Sequence, residues 1–150
     1  MNIKRFFIGL LALFAFTTQA YADMYANSAP AVQGYDVVSY QTGKRPIKGS
    51  GHLTAHHQGA VYIFANQANL ESFNSDPEKY APAYGGFCAY GVSVGKKFIG
   101  HPEVWRVIDG TLYLNLDANI QDEWFKDVPG RIKAANDIWE DIKNTPASAL

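Results

Sequence analysis

From residue 34 onward the chain alternates short apolar blocks with polar, glycine-bearing joints, and the period of the apolar positions changes from block to block. Gly34–Tyr40 (GYDVVSY) has the β-branched and aromatic character of a strand or strand-like turn. Gln41–Gly51 is a polar, glycine-rich loop, and Pro46 within it is excluded from any central strand. His52–His57 and Ala60–Phe64 read as two strands joined at Gln58-Gly59, a short hairpin connection. The second of them, AVYIF, is apolar on both faces, which marks a central strand. The clearest hairpin lies further on, where Trp105–Ile108 and Thr111–Asn115 flank Asp109-Gly110, a pair suited to the positive φ angles of a type I′ turn.

Between and after these strands the apolar period lengthens to that of a helix. Asn66 is placed to cap a helix over Gln67–Asn74 that carries Leu70 and Phe73 on one face. Asp76-Pro77-Glu78 opens another short helical turn, with Asp as cap and Pro at the first position, and Pro82 ends it. Asp117 can cap a helix carrying Ile120 and Trp124. Pro129 opens a last helix in which Ile132, Ala135, Trp139 and Ile142 form one apolar stripe opposite Arg131, Lys133, Asp137 and Asp141. Ser93–Pro102 is expected to be a loop, and no internal repeat is evident. The pattern predicts an α+β fold: a small antiparallel sheet built from hairpins, short helices, and a C-terminal amphipathic helix. One domain over 32–143 suffices, followed by a tail over 144–150.

Composition adds limits. A chain of 150 residues with formal net charge −1 and no basic run offers no surface for nucleic acid, whose phosphates require clustered Lys and Arg. The N-terminus adds a destination. Lys4 and Arg5 precede the apolar run Phe6–Phe16, and Ala20-Tyr21-Ala22 supplies a small-x-small cleavage pattern. These are the parts of a secretory signal peptide over 1–22. As a helix, that run rises only ~16 Å, about half a hydrocarbon core, so it is not expected to span a membrane. The mature chain would begin near Asp23 with a flexible leader over 23–31, in the periplasm or secreted. Loss of Lys4 and Arg5 takes its 13 basic residues to 11, against 14 acidic ones, for a net charge of −3.

Three blocks, GYDVVSY (34–40), GAVYIFANQANLESFNSDPEKYAP (59–82) and YGGFCAYGVSVG (84–95), are continued by VIDGTLYLNL (107–116) and the Trp-containing C-terminal helix. Through them the chain resembles the exported branch of the YHS-domain proteins. The resemblance implies a small α+β domain, and an association with heavy-metal handling through cysteine ligands. Those cysteines are missing. Tyr35–Tyr40 contains none, and Ala65 and Asn69 stand where the later pair would be. Neither is a ligand for the soft ions that thiolates select, so a Cys-rich zinc site is excluded.

Cys88, His52, His56, His57 and His101 are the whole stock of thiolate and imidazole. On a strand, His56 and His57 point to opposite faces, while His52 and His56 share a face with Cα atoms ~13 Å apart. The histidines therefore need help from elsewhere in the fold to hold an ion. Cys88 has several open readings: a buried apolar thiol, a ligand for copper or zinc together with His56, His57 or His101, a reactive thiol activated by a histidine, or an intermolecular disulfide. Tyr84, Phe87 and Tyr90 could line a small-ligand pocket beside it. The expected function is that of a non-catalytic exported binding protein for a metal ion or small molecule. Its rivals are a thiol-dependent redox or transfer enzyme and a protein-interaction module.

Overall fold

The structure, a computed structural model, describes residues 29–150, and the signal-peptide and cleavage readings lie outside the described residues. The α+β expectation holds, with one change: there are two separate two-stranded antiparallel sheets. The first pairs β1 (Ser50–His57) with β2 (Ala60–Phe64), and is followed by α1 (Gln67–Ser75) and α2 (Pro77–Tyr80). The short helix α3 (Ala89–Ser93) then leads to β3 (His101–Ile108), β4 (Thr111–Asn115), α4 (Ala118–Phe125) and α5 (Val128–Ile142). Among the described residues no helix is long and apolar enough to cross a membrane.

The caps and turns act where their residue types demand. Asn66 and Asp117 accept from the backbone N–H groups of Asn69 and Ile120, filling donors that a first helical turn leaves without partners. Asp76 and Asp127 do the same for Lys79 and Gly130. Asp109 and Gly110 take φ angles of 49° and 81°, and Gln58 and Gly59 take 48° and 77°.

One expectation is overturned by a side chain. Val37–Thr42 is not extended but forms a 3-10 helix, because Asp36 accepts from Val38 and Ser39 and winds the chain at once.

A second correction is larger. The chain does contain an internal repeat, carried chiefly by the backbone. The β1–β2 register pairs Ser50 with Phe64, Thr54 with Ile63 and His57 with Ala60; the β3–β4 register pairs His101 with Asn115, Trp105 with Leu114 and Ile108 with Thr111. Each partner in the second set stands at one constant offset from the first. Both ladders are interrupted at the same place, between Ser50 and Thr54 and between His101 and Trp105. Ahead of each hairpin runs a left-handed turn: Val32 and Gln33 (φ 50° and 51°) in one, Tyr84 and Gly85 (φ 56° and 62°) in the other. Such turns cost L-residues about 1–2 kcal/mol per residue. The same three backbone bonds close both. Tyr35 N–H donates to Val32, Asp36 to Ile47 and Gly49 to Gly34; Phe87 donates to Tyr84, Cys88 to Phe98 and Gly100 to Gly86.

The two units, about 30–80 and 82–143, each carry an aromatic core. In the first, Tyr62, Phe64 and Phe73 pack with Val37 and Val38; in the second, Tyr113 and Trp124 pack with Tyr84, Ala89 and Val92. Phe73 and Trp124 correspond and are both fully buried. The second unit is also covered by the long helix α5, which packs along α3. The units meet through Tyr40, whose ring stands edge-on to Trp105 at 5.2 Å and packs on Leu112 and Leu114. Its buried hydroxyl donates to the Pro102 carbonyl at 2.8 Å.

Candidate functional site

The left-handed turn at Tyr84-Gly85 forces its backbone out to solvent, and three depressions meet there. One, of about 590 Å³, runs past Gln58, Glu78, Tyr84, Phe87 and Trp139. A second, of about 190 Å³, includes His57 and Tyr62, and a third, of about 380 Å³, reaches Gln33 and Gly100. Gly85 lines all three. It is exposed, and a Cβ there would meet nothing within 4 Å. The result is one trough along the seam of the two units.

Its walls are set from both sides. Trp139 of α5 stands at 5.7 Å from the Tyr84 ring and 6.4 Å from Phe87. Tyr84 is pinned by its hydroxyl, which donates to Asn136 Oδ1 at 2.8 Å, and burial raises its pKa. Lys97 holds the far face: its Nζ lies 4.9 Å from the Phe87 centroid and donates to the carbonyls of Lys143 and Thr145, where α5 ends. A cation suits both partners, the ring face and the negative end of a helix. On the hairpin side, Gln58 Nε2 donates to Glu78 Oε1 at 2.8 Å. His57 Nε2 lies 3.2 Å from the same oxygen, without hydrogen-bond alignment.

The residues singled out by sequence separate in space. Tyr84 and Phe87 line the trough, whereas Tyr90 does not and lies under the Arg131 guanidinium, 4.5 Å from its ring. His52, His56 and His101 are exposed, and His101 Nδ1 accepts from the Glu103 N–H at 3.1 Å. His57 is half-buried, edge-on to Phe73 at 6.0 Å. Cys88 is 1% exposed. Among the described residues no three His, Cys, Asp or Glu side chains are grouped to hold a metal ion.

Cys88 is instead the N-cap of α3, with its sulfur accepting from the Gly91 N–H at 3.4 Å. Burial pushes its thiol up, against the opposing pull of the backbone N–H groups of Gly91, Leu116 and Tyr90. A thiol so placed is a poor nucleophile at neutral pH, since the thiolate is the reactive form. Trp139, Gln58 and Glu78 escaped the sequence reading. A signal was present: Pro-Ala-x-x-Gly-aromatic occurs at 30–35 and again at 82–87, marking both left-handed turns.

Fold and trough together define a two-unit α+β protein with a ligand-sized groove at the seam. No family model matches the chain, and no curated protein or solved structure matches it.

Proposed function

We propose that this chain is an exported, non-catalytic YHS-type binding protein that takes a small molecule in the trough around Gly85. The convergence of three depressions on one exposed glycine carries the reading. The widest of the three depressions, of about 590 Å³, lies in the range of ligand sites, about 300–1,000 Å³. Its chemistry suits a flat, partly apolar ligand: Trp139 and Phe87 offer ring surface, while Glu78 and Gln58 offer hydrogen-bonding groups. Gly85, lacking a side chain, lets such a ligand approach the backbone closely. The metal reading centred on Cys88 has less behind it, because the thiol is enclosed and the histidines lie at separate places.

Amide-resolved NMR of the mature chain, titrated with small aromatic amines and aromatic carboxylates, tests this. Saturable shifts should cluster at Gln58, Gly85, Phe87 and the Trp139 indole. Gly85→Asn should weaken them at least tenfold, since Asn tolerates a positive φ and fills the floor of the trough. Shifts centred elsewhere, or indifferent to Gly85→Asn, would sink the reading.

A further inference from the structure

The two units place different groups at one corresponding point. In the first unit that point is Asp36, fully buried. Its Oδ1 accepts from the N–H groups of Val38 at 2.9 Å and Ser39 at 3.4 Å. Its Oδ2 accepts from the Ala65 N–H at 2.9 Å and from Asn69 Nδ2 at 2.7 Å. Four donors thus meet one carboxylate. In the second unit the point is Cys88, whose sulfur accepts from the Gly91 N–H, the counterpart of Ser39; the N–H groups of Tyr90 and Leu116, the counterparts of Val38 and Ala65, lie near enough to favour the thiolate without hydrogen-bonding the thiol. The sulfur is a weak acceptor for so many donors.

A side-chain amide is present too, supplied from a different position. Asn115 is fully buried, its Oδ1 accepts from the Cys88 thiol at 3.9 Å, and its Nδ2 has no partner. The two ends of an amide exchange by a half-turn, so Nδ2 can face the sulfur. An unpaired buried donor is destabilising, and the first unit has apolar Phe64 at that position. The second unit therefore gathers three backbone N–H groups and a buried amide with an unpaired nitrogen around a thiol, where the first unit gathers four donors around a carboxylate.

We propose that Cys88 is an oxidation site whose stable product is the sulfinate, a side chain with the two oxygens and the negative charge that Asp36 presents in the first unit. The co-reactant is a peroxide. The thiol first loses its proton to solvent. The thiolate then attacks hydrogen peroxide, the O–O bond breaks, one oxygen joins sulfur and the other leaves as water. A second peroxide oxidises the sulfenate to the sulfinate in the same way, with a second water released. One sulfinate oxygen accepts from Tyr90 and Gly91, the other from Leu116 and the turned Asn115 amide. Cys88 does not line the Gly85 trough, so this site stands apart from the proposed binding role.

Because the thiol is enclosed, peroxide reaches it through local opening. The test treats the chain with hydrogen peroxide, both in buffer and in urea just below the unfolding transition with subsequent refolding. Cys88 should gain about 32 Da, the mass of two oxygens. The oxidised protein should melt about 4 °C or more above the thiol form. Asn115→Leu should cut that rise by at least half. Cys88→Asp should melt above Cys88→Ser and ignore peroxide; should it fail to fold, the melting of the oxidised wild type decides. A doubly oxygenated form that melts at or below the thiol form would overturn the proposal. So would a product that is mostly sulfonate or disulfide-linked dimer under both conditions, or a rise undiminished in Asn115→Leu.

Discussion

The two units share a backbone down to the interruption in each hairpin, yet they fill it by opposite means. The first has a charged anchor, Asp36, set among apolar rings: Phe64, Leu70 and Phe73. The second has a neutral anchor, Cys88, and at the matching positions carries Asn115, Gln121 and Trp124. Each of these has a buried nitrogen without a partner: Asn115 Nδ2, Gln121 Nε2 and Trp124 Nε1. The first unit has one such nitrogen, His57 Nε2, at its edge, while its central polar group, Asp36, is fully paired. The second has three, and α5, far longer than its counterpart α2, covers it. A backbone plan can therefore persist while its side-chain logic is replaced, provided the donors at each turn keep an acceptor.

The largest expected effect tests that asymmetry. Asp36→Ala strands four buried donors and should cost about 3–5 kcal/mol, since hydrogen bonds to a charged group contribute about 1.5–3 kcal/mol each and are not additive. Cys88→Ala removes one small thiol and should cost about 1–2 kcal/mol. Urea midpoints at unchanged m-value measure both, and equal losses would break the comparison.

Next come the two glycines at which the chain enters each hairpin. A Cβ on Gly49 would run into the backbone C and O of Ile63, and one on Gly100 would lie 2.5 Å from Leu114 Cβ and 2.7 Å from the Gly86 carbonyl oxygen. Each Ala substitution should destabilise by about 1–3 kcal/mol. Gly49→Ala should be slightly the worse, because two backbone atoms of Ile63 stand in its way, against one backbone atom, the Gly86 oxygen, at Gly100. Thermal midpoints of the two variants rank them.

The smallest effect lies on the surface, where the units are tied by Glu103. Arg45, hydrogen-bonded at 2.7 Å, and the Tyr35 hydroxyl at 3.0 Å hold its carboxyl below the ordinary glutamate range. A depressed carboxylate pKa means that the contribution is present above the unfolded value and is lost as pH falls through the folded one. Exposed pairs contribute little. Glu103→Gln should therefore lower the thermal midpoint only slightly at neutral pH, and the gap from wild type should close in acid. A gap that persists at low pH would assign the residue a role other than charge.

What could be read along the chain was local. Asp109-Gly110, the caps Asn66, Asp76 and Asp117, and the stripe Ile132–Ala135–Trp139–Ile142 each depend on residues within a few positions of one another, and each forms as its side chains dictate. The exception, Val37–Thr42, shows the limit: β-branched residues favour extension, but a buried Asp36 with donors from Val38, Ser39, Ala65 and Asn69 overrides them. The site was half legible. Tyr84, Gly85 and Phe87 belong to the block YGGFCAYGVSVG (84–95) that the sequence already marked. Trp139 and Gln58 reach it only because a helix and a hairpin distant in sequence close on the same turn.

By itself, then, the amino-acid sequence determined the turns, the caps, the helical face of α5 and the α+β class, because these follow from short-range sterics and hydrogen bonding. Tertiary structure alone decided three things: that the two hairpins are copies of one plan, that Cys88 occupies the place of a carboxylate, and that Gly85 lies at the floor of a trough. The physical reason is common to all three. Backbone hydrogen bonds between distant segments, such as Gly49 to Gly34 and Gly100 to Gly86, leave little side-chain signature beyond those glycines and the short Pro-Ala-x-x-Gly-aromatic turn, so most residues around them can differ between the two units.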